Sequence, residues 1–187
     1  MSTLENRDET ALLVIDMQNA VLADAHNVES VTKNISALVE GARESKSPVI
    51  WVQHSDDELV AGSREWEIVP ELIPHESEAL IAKNYGDSFE ATELEAVLAA
   101  ARVGHLVVVG AESDACVRST IHGAFTRGYD VTLVVDAHTT GDHREWGAPE
   151  PAAVISHMNL YWQFQSAPGR TAAVAKSTEV VFDSQRS

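Results

Sequence analysis

The sequence predicts an α/β three-layer sandwich (α/β/α) on a mostly parallel central sheet, and three observations predict it. Short β-branched runs carry no polar alternation, segments with helical spacing lie between them, and the runs close on polar residues or glycine. A strand buried on both faces reads as a continuous apolar run, as a parallel sheet covered by helices requires. Strand and helix alternating along one chain then imply right-handed crossovers, with helices on both faces.

The first strand is Ala11-Leu12-Leu13-Val14-Ile15, which ends at Asp16. Val28, Val31, Ile35, Leu38 and Val39 recur at three and four residues and predict the first helix. Pro48-Val49-Ile50-Trp51-Val52 is the second strand, with His54 just beyond it. Ser55 to Ala79, broken by Gly62, Pro70 and Pro74, reads as a long irregular stretch, and such loops are more often functional than idle. Ala79-Leu80-Ile81-Ala82 is a short apolar run before Lys83, and Leu94, Val97 and Leu98 start another helix. His105-Leu106-Val107-Val108-Val109 forms a strand closed by Gly110. Val117, Thr120, Ile121, Ala124 and Phe125 form a helix that stops at Gly128, a C-terminal cap. Val131 to Val135 is a strand ending at Asp136, Val154, His157, Met158 and Tyr161 mark the last long helix behind Pro151, and Thr171 to Ala175 a closing strand. With no repeat, low-complexity segment or Gly/Ser linker, residues 1–187 read as a single domain with a sizeable core.

Composition narrows the partners. The chain holds 13 Lys plus Arg against 29 Asp plus Glu, a formal net charge of −16. Nucleic acid and anionic membranes repel such a field, so neither is an expected partner. No apolar run approaches the ~20 residues of a spanning helix. A single cysteine, Cys116, and an N-terminus without a basic-then-apolar order make the cytoplasm the expected location. The acids concentrate between Ser55 and Glu95, where twelve stand against only Arg64 and Lys83.

Ligands of open parallel sheets bind beyond the carboxyl ends of the strands, which points to Asp16, His54, the segment Gly110 to Cys116, and Asp136. In Gly110-Ala111-Glu112-Ser113-Asp114-Ala115-Cys116, Ser113 reads as an N-cap that puts the thiol in a first helical turn. There the dipole and free N–H groups favour thiolate, so an apparent pKa below the free value of ~8.5 is expected. The same amides suit an oxyanion. The bland alternative is an inert buried cysteine. Asp16 is either a partly desolvated base with a raised pKa or a cap of the next turn. Lys83 is either a surface lysine or an ammonium that orders the carboxylate and thiol.

Five segments in register resemble the isochorismatase-like family of cysteine hydrolases. They are Leu12-Leu13-Val14-Ile15-Asp16-Met17-Gln18-Asn19, Lys83 through Leu94, Gly110 through Val117, Gly128-Tyr129-Asp130-Val131, and Asp136-Ala137-His138-Thr139-Thr140. The resemblance implies a catalytic triad of Asp16, Lys83 and Cys116. It also implies a cis peptide between Ala111 and Glu112, and an oxyanion hole from the backbone N–H groups of Glu112 and Cys116. The family's isochorismatases proper lack the cysteine, so Cys116 argues for hydrolysis of a small amide, carbamoyl or ureido compound, or lactam. Vinyl-ether hydrolysis and a non-catalytic binding protein on the same fold are the alternatives. A flavodoxin-like nucleotide binder is disfavoured, because Asp16-Met17-Gln18-Asn19 is no phosphate loop. The Asp-x-His metal motif of the family's nicotinamidases is absent from Val52-Gln53-His54-Ser55-Asp56-Asp57, so neither metal nor cofactor is expected. Val21, where the family often has a large aromatic, is expected to line the substrate pocket with His54, Trp66, Tyr85 and Phe89. Trp51 is a further candidate. The family's assemblies imply a homodimer or homotetramer, with Met158 to Phe164 either interface or core. An acidic rim at the pocket mouth would favour a neutral or cationic small molecule, in the manner of the family's streptothricin hydrolases.

Overall fold

The structure, a computed structural model, describes residues 2–182. Seven strands make one sheet: β1 (Glu9–Ile15), β2 (Val49–His54), β3 (Ala79–Lys83), β4 (Val103–Ala111), β5 (Asp130–Thr139), β6 (Ser166–Ala167) and β7 (Arg170–Ala175). Their order is β3-β2-β1-β4-β5-β7-β6, and every pairing is parallel except that of β6 with β7. The helices are α1 (Val28–Glu44), α2 (Leu94–Ala100), α3 (Arg118–Arg127) and α4 (Pro151–Gln163).

The unalternating strands bury both faces. Leu12, Val14, Val49, Trp51, Val107 and Val109 pack with Val31, Ile35, Leu38 and Val39 of α1 on one side. Ala11, Leu13, Ile15, Ile50, Val52 and Val108 pack on the other, with residues of α2, α3 and α4. Pro151 opens α4 and Gly128 closes α3 at φ 107°, so both helix boundaries follow local chemistry. Trp51 and Trp162 are core residues, as is Met158.

From β1 the chain moves outward through β2 and β3, then returns to place β4 on the other side of β1. The ends of β1 and β4 therefore flank the topological switch point, where a crevice forms. Residues 55–78 form no helix or strand, yet they are anchored. They run back across the exit of β1: Asn19 and Ala20 donate to Glu67 O and Glu65 O at 2.9 Å, and Val69 N–H donates to Met17 O at 3.0 Å. At the far end Glu78 accepts from Arg43 Nε (2.7 Å), Trp51 Nε1 (2.7 Å) and His75 N–H (2.9 Å). Burial opposes its charge, but these donors outweigh burial and hold the carboxyl down at about 2.

Glu78→Ala strips a guanidinium and a buried indole N–H of their acceptor. A loss of about 1–3 kcal/mol is expected in urea unfolding, and an unchanged midpoint would show that Glu78 pins nothing.

Candidate active site

Three strand ends deliver three side chains to one point. Asp16 follows β1, Lys83 ends β3, and Cys116 lies five residues beyond β4. Lys83 Nζ is 2.7 Å from Asp16 Oδ2, with side chains 0% and 2% exposed, and donates to Cys116 Sγ at 3.2 Å. Its third neighbour is His54 Nδ1 at 3.4 Å, because β2 and β3 pair His54 directly with Lys83.

Local backbone sets these positions. Asp16 takes φ 48°, a left-handed conformation that aspartate tolerates better than most residues, and so turns out of the strand. Gly110 has φ 121°, and a Cβ there would lie 2.0 Å from Ile15 O, so only glycine lets β4 approach β1 at the switch point. The Ala111–Glu112 peptide that follows is cis. Residues Ser113–Val117 then form a π-helical turn, with Val117 N–H donating to Glu112 O at 3.0 Å, before α3 begins. Such turns often mark functional sites.

Ser113 is therefore not the helix cap that local pattern suggests. Its hydroxyl meets His138 Nδ1 at 2.7 Å instead. Asn159 donates to Val135 O at 3.2 Å, so its Oδ1 accepts the His138 Nε2 proton at 2.8 Å. His138 Nδ1 is thereby left to accept the Ser113 proton. The neighbours of Ser113 are tied to the same stretch of chain. Glu112 Oε1 accepts from Gly141 N–H at 3.2 Å and lies 3.1 Å from His143 Nε2, while Thr140 Oγ1 donates to Asp114 Oδ1 at 2.7 Å. Three consecutive residues ahead of the cysteine are thus clamped to the end of β5 and the loop after it.

Burial, more than the charge of Asp16, pushes the Cys116 thiol up to about 12, and Lys83 only partly offsets this. This direction is contrary to the expectation of a lowered pKa, because desolvation in the crevice outweighs any helix-terminal effect. Asp16 is raised as well, again by burial, with Lys83 opposing. Its Oδ1 has no hydrogen-bond partner among the described residues.

The remaining expected site residues divide. His54 joins the cluster. Trp66 is half-buried, and its carbonyl accepts from Gln18 (2.8 Å) and Gln53 (3.1 Å), which ties the irregular stretch to the crevice. Tyr85, two residues beyond Lys83, is 57% exposed. Phe89 is 7% exposed, with its ring centroid 5.7 Å from that of Tyr129 in the core. Val21 leans on the α1-side core, and Trp51 is buried within it. Asp136 lies inside β5 rather than at its end, and its carboxylate accepts from Ser177 N–H and Oγ. Among the described residues no three His, Cys, Asp or Glu side chains are grouped to hold a metal ion. Sequence reasoning missed Gln18, which is fully buried and bonds the His54 backbone at both N–H and carbonyl, and it missed the His138–Asn159 pair. Gln18 and His138 stand within recognisable segments, but nothing in a linear pattern says what they touch.

Fold and cluster together define an α/β protein with a thiol and a buried ion pair gathered at its strand ends. The Isochorismatase domain model matches residues 10–149, and the chain belongs to the isochorismatase family, whose members are hydrolases. It is 31% identical over 179 residues to the uncharacterized isochorismatase family protein YddQ of Bacillus subtilis, covering 91% of this chain and 97% of that one. It is 32% identical over 143 residues to the secreted isochorismatase effector Isc1 of Verticillium dahliae, covering 73% of this chain and 75% of that protein. Among solved structures it resembles an isochorismatase from Pseudomonas putida KT2440, with TM-score 0.84 and 26% identity over 92% of this chain and 90% of that one. It shares its fold with the N-carbamoylsarcosine amidase of Thermoplasma acidophilum, with TM-score 0.73 and 23% identity over 92% and 98% of the two chains.

His138 is held neutral by burial, with its pKa below the ordinary 6.5. The unfolded chain therefore binds a proton that the native one refuses, and stability present above that value drains as pH falls below it. Denaturant midpoints measured from pH 8 to 5 are expected to decline on the acid side, and less steeply in His138→Gln. His122, lowered mainly by burial, leaves a residual slope in both. Parallel profiles would remove His138 as the source.

Proposed function

We propose that this protein hydrolyses a small carbon–nitrogen substrate, an amide, carbamoyl or ureido compound, or lactam, through a thioester on Cys116. The observation that carries the reading is the buried Lys83 Nζ lying 2.7 Å from the buried Asp16 and 3.2 Å from Cys116.

Asp16 accepts the thiol proton as sulfur attacks the carbonyl carbon, and Lys83 stabilises the resulting charge. The backbone N–H groups of Glu112 and Cys116 receive the oxyanion. Protonated Asp16 then gives its proton to the leaving nitrogen, the C–N bond breaks, and an amine or ammonia departs. Water attacks the thioester with Asp16 again as base. The C–S bond breaks, the acid is released, and the proton returns to sulfur. A raised pKa on Asp16 suits both directions of this transfer. The unpartnered Oδ1 offers a free acceptor. The cycle balances with water as the only co-reactant and uses no cofactor.

The exposed acids Asp56, Asp57, Glu58, Glu65 and Glu67, on the segment that crosses the exit of β1, support a preference for neutral or cationic substrates. A cytoplasmic homodimer or homotetramer completes the reading. Leu160 and Phe164, 57% and 74% exposed at the end of α4, support an interface there.

Cys116→Ala is expected to lower turnover of the best substrate from a panel of amides, ureido acids and lactams by at least about a thousandfold. Mass spectrometry of a slow substrate should find the acyl group on Cys116. Undiminished turnover in the alanine variant would remove the thioester route. Raising salt from about 10 mM to about 0.3 M should weaken kcat/KM for a cationic amide by screening. Indifference to salt, with an acidic substrate preferred, would remove the rim's role.

A further inference from the structure

We infer that His54 and Asp56 form a positioning pair for Lys83, holding the ammonium so that its other two N–H groups point at Asp16 and Cys116. The inference rests on the reading of Lys83 as the partner of carboxylate and thiol, and adds two residues to that site.

An ammonium has three donors and no acceptor. Lys83 Nζ has three neighbours: Asp16 Oδ2 at 2.7 Å, Cys116 Sγ at 3.2 Å and His54 Nδ1 at 3.4 Å. Because the ammonium can only donate, Nδ1 must present its lone pair, and the ring proton then sits on Nε2. That proton is directed at Asp56 Oδ2, 3.0 Å away. The other oxygen, Oδ1, is held by the backbone N–H groups of Glu58 (2.9 Å) and Leu59 (2.7 Å), so Asp56 is fixed although exposed. Those two N–H groups, Leu59 foremost, also hold the Asp56 carboxyl below its ordinary range, keeping it an acceptor.

The ring is fixed from the backbone side too. Gln18 Oε1 accepts the His54 N–H at 2.8 Å, and Gln18 Nε2 donates to His54 O at 3.0 Å. Gln18 is itself two residues from Asp16, so one side chain ties the carboxylate's turn to the imidazole's strand. Lysine has a four-carbon stem with many rotamers. A third fixed acceptor restricts the ammonium to the orientation that serves the other two. The pair takes no proton and touches no reacting atom in the proposed cycle, so its role is orientation.

Cys116 is the only cysteine in the chain and is partly accessible, so its alkylation by iodoacetamide reports the site without any substrate. The full chain is used. His54→Asn keeps an acceptor near the Nδ1 position, His54→Gln moves it to the Nε2 position, and His54→Phe removes it. At a fixed pH the Asn variant is expected to alkylate within about twofold of the parent. The Gln and Phe variants should be slower by about tenfold, the equivalent of one pKa unit on the thiol. In a Lys83→Met background the same His54 substitutions should add nothing, since the group they orient is gone. Equal rates for Asn and Gln would overturn the inference, as would equal losses with and without Lys83, and this comparison holds even if the Phe variant fails to fold. Because alkylation is read on the thiol, the outcomes separate. Full turnover in Cys116→Ala defeats the thioester route alone, whereas a flat His54 series beside an inactive Cys116→Ala defeats only the positioning role.

Discussion

The ion pair between Lys83 and Asp16 is the constraint on which the site depends. Two charges taken out of water are unfavourable unless each finds the other, and removing one leaves its partner buried and uncompensated. The pair lies at 2.7 Å with almost no exposure, so the ends of β1 and β3 must meet across β2 to within a fraction of an ångström. Cys116 is the third member, 3.2 Å from the ammonium. Burial and the Asp16 charge push the thiol pKa up, and the nearby ammonium only partly offsets them. The crevice therefore favours a thiol beside the carboxylate over a standing thiolate.

Around this pair the supports are hydrogen-bonded and mostly drawn from distant segments. Gly110 lets β4 close on β1. The clamp of Glu112, Ser113 and Asp114 onto residues 138–143 then holds the turn that carries Cys116. Gln18 ties β1 to β2, and Glu78 anchors the irregular segment whose middle crosses the β1 exit. The acidity of that segment divides accordingly. Glu78 is structural, Asp56 is spent on His54, and the exposed remainder faces water near the crevice.

Legibility followed the range of the interaction. The strands could be read because burial on both faces writes itself as an uninterrupted apolar run, and the helices because one face repeats at three and four residues. Asp16, Lys83 and Cys116 could be named because each stands at a strand end or a turn within a recognisable segment. Ser113 misled, because a serine before a helix ordinarily caps it, and here His138 from β5 competes for the hydroxyl. Asp136 misled because β5 runs on to Thr139 past a register shift. The contact of Phe89 with Tyr129 was not legible either, because it joins segments distant in the chain.

The sequence by itself determined the layer architecture and pointed to the strand ends, because both follow from local patterning, whereas Asp16, Lys83 and Cys116 were brought together by the resemblance of five segments to a known family. Only the tertiary structure decided that burial raises the Cys116 thiol, that His54 faces Lys83, and that the turn carrying Cys116 is clamped from β5. Each of these depends on desolvation, or on a donor meeting an acceptor from a distant part of the chain, and neither exists until the sheet has closed.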